Sequence, residues 1–239
     1  MNLKQLTGGV LALTLLLNVN TADAMAGKGP SRGPWQSLFD GKTLLGWHIF
    51  QKAGEPVPDM WVVQDGAIHF AGGRGVGDLV TDKAYGNFEL EVEWKIAQGG
   101  NSGIIYHVNE DPKFKATYQT GPEMQVLDNE RHPDAKQGHD GNRTAGALYD
   151  LQKPITPMAA KPAGEWNKAK LVIKNGKAEH YLNGKKIAEY ATTGPEWEAM
   201  VANSKFKGWD DFGKFQTGKI ALQDHGDQVW YRNIRIREL

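Results

Sequence analysis

Phe88-Glu-Leu-Glu-Val-Glu-Trp-Lys-Ile96 decides the fold. Large apolar side chains fall on every second residue, at 90, 92, 94 and 96, and charged ones lie between them, at 89, 91, 93 and 95. A period of two puts one set on a buried face and the other on the opposite face of a β-strand. The glutamates between the apolar residues are expected to form a solvated face. Working outward, the same grammar recurs. Trp61-Val-Val and Ala67-Ile-His-Phe70 flank Asp65-Gly66, a two-residue hairpin turn that tolerates positive φ. Asn175-Gly176 and Asn183-Gly184 divide residues 171–190 into a three-stranded meander. Leu44 to Phe50, Ile104 to His107, Lys219 to Gln223 and Val229 to Arg237 read as further strands. Only residues 194–203 read as a helix, with Pro195 at its first turn. Many short strands with turns every 8–12 residues or so predict an all-β fold, a two-sheet antiparallel sandwich with one short helix.

The 239 residues carry 28 basic and 28 acidic side chains, so neither nucleic acid nor an anionic membrane is an expected partner. With no cysteine, disulfides, thiolate metal sites and a thiol nucleophile are excluded. Lys4, an apolar run over residues 10–17 and Ala22-Asp23-Ala24 form the pattern of an export signal spanning 1–24, and the apolar run is too short for a comfortable membrane span. A flexible Gly/Lys/Pro/Ser linker is expected over 25–34, and a single domain over 35–239. These features predict a periplasmic or secreted protein without an integral membrane segment once the signal is removed. Gly72-Gly-Arg-Gly-Val-Gly77 is followed by no helical pattern and reads as a loop, not a phosphate cradle.

Candidate chemistry is concentrated between Asn101 and Asp150. If Glu123 to Asp128 is a strand, Glu123, Gln125 and Leu127 share one face and Met124, Val126 and Asp128 the other. Glu123 and Gln125 are then roughly 6–7 Å apart. A carboxyl beside an amide, in a chain rich in aromatics, suits a groove for a polar ring-shaped ligand; a solvated sheet face is the plain alternative. His107, His132, His139 and His225 lie in or near this region, whereas His69 and His180 read as ordinary strand residues. A divalent cation is possible chemistry for such side chains, and Asp224 and Asp227 beside His225 offer either a polar loop or a calcium site. No tight histidine pair marks a definite metal centre, so no metal ligand is assigned. Trp47, Trp61, Trp94, Trp166 and Trp230 belong in strands and read as core, while Tyr106, Tyr118, Tyr149 and Trp209 are candidates to stack on a ligand.

In their order along the chain, several motifs resemble the 3-keto-disaccharide hydrolase domain family. They are Leu38-Phe-Asp-Gly-Lys-Thr43 with Gly46-Trp47, Asn101-Ser-Gly-Ile104, Glu123-Met-Gln-Val-Leu-Asp128, Gly146-Ala-Leu-Tyr149, Gly164-Glu-Trp-Asn167, Leu182-Asn-Gly184, and Leu222-Gln-Asp-His-Gly226 with Arg232-Asn-Ile234. The resemblance implies a concanavalin A-like jelly roll with a groove on its concave sheet. It also implies cleavage of glycosides or disaccharides whose ring is oxidised to a ketone at carbon 3. The family pattern is departed from at His107, where relatives often have arginine or another polar residue.

The residues constrain how such a substrate is cut. Ordinary glycosidases use two carboxyl groups, but the same-face partner of Glu123 is Gln125, and Asp128 faces away unless a bulge re-aims it. A 3-keto sugar offers another route: a base removes the hydrogen on carbon 2, the carbon 1 substituent is eliminated, and water adds. Glu123 or His225 is the expected base. Gln125, Asn101 or Gln223 is the expected donor to the keto oxygen, and His107 or Tyr149 the expected acid. Catalytic candidates are therefore Glu123, His225 and His107, and substrate-binding candidates are Asn101, Tyr106, Gln125, Asp128, His139, Tyr149, Trp209 and Gln223. A non-catalytic carbohydrate-binding module on the same scaffold is the alternative.

Overall fold

Among the described residues, thirteen strands and one α-helix build the fold: β1 (Gln36–Ser37), β2 (Trp47–Ile49), β3 (Trp61–Gln64), β4 (Ala67–Phe70), β5 (Leu79–Thr81), β6 (Phe88–Ile96), β7 (Asn101–Val108), β8 (Glu123–Leu127), β9 (Asn167–Lys174), β10 (Lys177–Leu182), β11 (Lys185–Ala191), α1 (Pro195–Ala202), β12 (Lys219–Leu222) and β13 (Val229–Glu238). The computed structural model describes Met1 and residues 32–239. The expected export signal and the linker up to residue 31 lie outside the described residues.

All pairings are antiparallel. One sheet has the order β11-β10-β9-β6-β13-β4-β3, with β1 also on β13. The other has the order β2-β5-β12-β7-β8. The two pack as the expected concanavalin A-like jelly roll. The turn residues explain the hairpins: Asp65 and Gly66, Asn175 and Gly176, and Asn183 and Gly184 all adopt positive φ, the conformation a tight hairpin demands.

In β6, Leu90, Val92, Trp94 and Ile96 are almost fully buried between the sheets, as their alternation predicts. From the second sheet they meet Ile104 and Tyr106 of β7, Met124 and Val126 of β8, and Ile220 and Leu222 of β12. A buried hydrogen bond of 2.7 Å between Ser102 Oγ and Tyr231 Oη ties the two layers together. The outer face of β6 is not simply solvated. Glu89 pairs with Arg237, Glu91 with Arg235 at 2.6 Å, and Glu93 with Arg232 at 2.8 Å. The arginines come from β13, in register opposite these glutamates, so the charged face is a cross-strand ladder.

The strand alternation leaves Asn101, Gly103 and Ile105 on the other face of the second sheet, turned away from the core. There Ile105, Val80 and Ala221 are covered by Phe50, Phe114 and Phe215, which form a small second apolar cluster. The remainder of that face is left for polar groups.

Tyr106 corrects one expectation. As an even-numbered residue of β7 it points into the core, fully buried, and its hydroxyl lies 3.2 Å from His180 Nε2, which is also 3.0 Å from Tyr190 Oη. It is therefore a core residue and no ligand platform. Removing only the hydroxyl, in Tyr106→Phe, should lower the unfolding free energy by about 1 kcal/mol. Urea denaturation checks this, and unchanged stability would mean that the bond to His180 contributes nothing.

Candidate active site

Glu123 opens β8 and faces the side of the sheet away from the core. Its neighbours across the ladder are Ile105 and, one pair further, Gly103 opposite Gln125. The Glu123 side chain lies over Gly103: a Cβ there would sit 2.7 Å from Glu123 Cδ and 2.8 Å from Cγ. The bare backbone thus makes the bed for the carboxyl. Asn101 comes from the start of the same face of β7, and Gln223 from the end of β12, whose backbone N–H donates to Gly103 O at 3.0 Å. These three, with Tyr118, Tyr149, Lys205, Phe206 and His225, line a hollow of about 280 Å³.

The walls are held by a polar lattice. After β8 the chain passes through a short 3-10 helix, Pro133–Lys136, and returns along the sheet edge, where Tyr149 N–H donates to Glu123 O at 3.0 Å. Arg143 clamps the loop, donating to Asp134 at 2.8 Å and to Asp150 at 2.6 Å. Tyr149 Oη donates to the other oxygen of Asp134 at 2.9 Å. Asp150 Oδ2 accepts the Lys205 backbone N–H at 2.7 Å, which fixes the segment after α1. Lys205 Nζ then lies 4.1 Å from the Tyr149 ring centroid. Behind it Trp197, Phe212 and Phe206 stack in near-parallel rings, so the helix anchors this wall from behind.

Against this lattice Glu123 stands apart. The residue is 94% buried, yet among the described residues its carboxyl has neither a hydrogen-bond donor nor an ion partner. Burial disfavours its charge and pushes its pKa up to about 8; the Lys205 ammonium opposes this, while Asp78 and Asp134 add to it. Burial lowers the pKa of Lys205, with Glu123 pulling the other way. Tyr149 is driven well above its ordinary value, first by burial and then by its bond to Asp134. Such a carboxyl beside a weakened ammonium is equipped for proton transfer near neutral pH. The other nearby acids are engaged. Asp134 is taken by Arg143 and Tyr149, and Asp78 accepts from Thr117 Oγ1 and from Asp224 N–H. A larger hollow of about 600 Å³ lies against the opposite sheet, but its acids are engaged, Glu91 and Glu93 by arginine and Asp40 by the N–H groups of Lys42 and Thr43.

Of the side chains expected at the site, Asn101, Tyr118, Glu123, Tyr149, Gln223 and His225 share the hollow. Others are placed elsewhere, each for a physical reason. His107 would share their face in a regular strand, but β7 carries an extra residue opposite β12 there, and His107 adopts φ +55°. The bulge turns its ring inward, where Nε2 meets Gly86 O at 3.0 Å, and burial lowers its pKa. Gln125 has the expected face but is walled over by the strand-edge return at Gly146 and Ala147, and its Oε1 accepts the Val126 N–H. Asp128 is a buried brace that accepts from Gly99 N–H at 2.7 Å and Glu130 N–H at 3.1 Å. His139 lies on an exposed loop beside a different hollow, with Asn142 and Asp150. Trp209 backs the wall, 6.0 Å from the Tyr118 ring, instead of lining it. Asp224, offered as a calcium ligand, is a loop clasp: Oδ2 accepts from Val76 and Gly77 N–H, and Oδ1 from Gly226 N–H. Sequence reasoning missed Lys205, Phe206 and the Asp134–Arg143 clamp. A lone lysine after a short helix carries no local signal of where it will point.

A sequence model described as the 3-keto-alpha-glucoside-1,2-lyase-like domain matches residues 34–237. The chain belongs to this family. A 3-keto-disaccharide hydrolase of Bacteroides thetaiotaomicron is 41% identical over 228 residues, which cover 85% of this chain and 78% of that protein. Two solved structures from Parabacteroides distasonis, both provisionally named glycosyl hydrolases, are also similar. One has 38% identity and a TM-score of 0.77, covering 87% of this chain and 94% of that one. The other has 27% identity and a TM-score of 0.64, covering 86% and 100%. This member of the lyase-like family is thus a glycoside hydrolase-type enzyme.

The buried acid of this family member has a thermodynamic signature. The ordinary value for Glu is 4.5, and Glu123 stands near 8 in the fold. Between those two pH values the unfolded chain has lost a proton that the folded chain retains, so stability falls as pH rises, by about 1.4 kcal/mol per pH unit at most. Glu123→Gln should therefore stabilise the protein by roughly 3 kcal/mol at pH 7, and the gain should vanish below about pH 4.5. Thermal melts of both proteins across this range measure it. A gain independent of pH would show that Glu123 ionises normally.

Proposed function

We propose that the protein cleaves 3-keto glycosides by elimination and hydration, with Glu123 as the base. The observation that carries this reading is the Glu123 carboxyl itself: buried, unpartnered and facing a hollow that adjoins one lysine and two amides. At about 280 Å³ the hollow is at the small end of ligand sites, which run roughly 300–1,000 Å³. That suits one sugar ring, with the aglycone toward the mouth. Tyr118 offers a face for the apolar side of the ring.

Glu123 takes the proton from carbon 2, and the bonding pair becomes the enolate of carbons 2 and 3. The Lys205 ammonium and the Asn101 and Gln223 amides stabilise the enolate oxygen. The enolate pair then returns, forming a double bond between carbons 1 and 2 as the bond from carbon 1 to the glycosidic oxygen breaks. The departing oxygen takes up a proton. Water adds its hydroxyl to carbon 1 and a proton to carbon 2, releasing the free 3-keto sugar. A mechanism with two carboxyl groups is disfavoured because Asp134 and Asp78, the other acids felt by Glu123, are engaged in hydrogen bonds.

The test is to incubate an aryl glucoside and its 3-keto derivative with the protein in D₂O. Aglycone should be released from the keto form alone, and the sugar should carry deuterium at carbon 2. Glu123→Gln should reduce kcat by about 10²–10⁴-fold, the range of general acid–base catalysis. The rise of kcat/KM with pH toward a value near 8 should also be lost in that variant, because the base must be ionised. Full turnover by Glu123→Gln removes it from the reaction, and product without deuterium means direct hydrolysis.

We also propose export. The apolar run over residues 10–17 and the Ala22-Asp23-Ala24 pattern support it. N-terminal sequencing of protein recovered outside the cytoplasm should begin at Met25; an intact Met1 there would refute cleavage.

A further inference from the structure

At the rim of the hollow, three side chains that the proposed reaction does not use converge. His132 precedes the short 3-10 helix, and His225 and Asp227 follow β12. One potential ligand atom from each lies within 4.8 Å of the others. The two imidazole rings stand edge to face with centroids 6.1 Å apart. We propose that His132, His225 and Asp227 bind one first-row divalent transition metal ion, such as manganese, iron, cobalt or zinc, at the mouth of the hollow.

The donor set selects the class of ion. Two imidazoles and one carboxylate suit first-row transition metals, whereas calcium and magnesium prefer oxygen alone. Asp227 is not neutralised by any lysine or arginine among the described residues; Oδ2 accepts the Asn101 N–H at 3.0 Å, and Oδ1 is left for an ion. Bonds of about 2.0–2.2 Å to a common ion hold ligand atoms no more than about 4.4 Å apart, so the three must close slightly. His225 is exposed and His132 half-buried, and both stand in loops, where side-chain rotation supplies that closure. The 3.2 Å contact from Asp134 N–H to His132 Nδ1 is long enough to be given up or turned in the process.

A second observation points to the same place. Asn101 Oδ1 is buried and has no hydrogen-bond partner, while its amide nitrogen lies 3.4 Å from His225 Nε2. An orphaned buried carbonyl is costly, by about 1–3 kcal/mol. A metal-bound imidazole carries its proton on the other ring nitrogen and needs an acceptor for it, most often a carbonyl or carboxylate. Turning the Asn101 amide over supplies that acceptor. With three protein ligands, the ion keeps positions open toward the hollow, where neighbouring carbonyl and hydroxyl oxygens of a keto sugar can chelate it. This last role rests on the proposed function; metal binding does not.

The experiment uses the full mature protein, stripped with a chelator and dialysed. Cobalt(II) is titrated and followed by its visible absorption, and manganese(II) and zinc(II) by calorimetry. One ion per chain is expected. His225→Ala and Asp227→Asn should each weaken binding at least 100-fold with unchanged far-UV circular dichroism, whereas His139→Ala should leave it intact. No binding of all three metals below millimolar concentration overturns the proposal, as does binding that survives both His225→Ala and Asp227→Asn. Keto-glycoside cleavage by metal-free protein would overturn the chelation role alone. Metal binding without any cleavage would overturn the proposed function and leave the metal site standing.

Discussion

A carboxyl group lying over a glycine is the constraint on which the site depends. Glu123 has room only because Gly103, across the ladder, has no side chain. The cost of burying it unpaired is carried by the rest of the sandwich, where Trp94, Tyr231, Phe88 and their neighbours form a fully enclosed core. Burial withholds water from the acid, and the absence of a partner among the described residues leaves its proton available. A surface glutamate would keep an ordinary pKa and a salt-bridged one would be committed. The fold thus gives up stability at one residue to hold a desolvated carboxyl in place, a trade commonly found where function needs a strained or desolvated group.

Much of the scaffold could be read from the chain, because its signals are local. The alternation in β6 and the three Asn-Gly or Asp-Gly turns report on neighbours only two residues apart. So does the face of Glu123, since strand geometry fixes it. The short strands β1 and β5 escaped notice: two or three residues carry no period. The solvated face expected for Glu89, Glu91 and Glu93 became a ladder because their arginine partners sit some 140 residues away in β13, where sequence spacing says nothing about register.

The hollow was legible only in part. Asn101, Glu123, Tyr149, Gln223 and His225 came from motifs lying on strand faces or at strand ends, where direction follows from counting. His107 was misplaced by one extra residue in its strand, a bulge that inverts every inference from alternation. Gln125 was on the right face and yet covered, because the returning edge segment is not foreseeable from β8 itself. Lys205 could not be found at all. Its position is set by Asp150, 55 residues earlier, holding its backbone, and by the stacked rings behind it, whose packing no local pattern reports.

The returning segment after β8 has a further effect. By running along the open border of the five-stranded sheet, with Gly146 N–H donating to Gln125 O and Tyr149 N–H to Glu123 O, it occupies hydrogen-bonding groups that would otherwise invite a strand from another molecule. The stretch that brings Tyr149 to the hollow therefore also serves as the barrier against lateral polymerisation. Natural variation there is free to retune recognition only where it keeps that seam closed, so solubility sets a limit on how far specificity can drift.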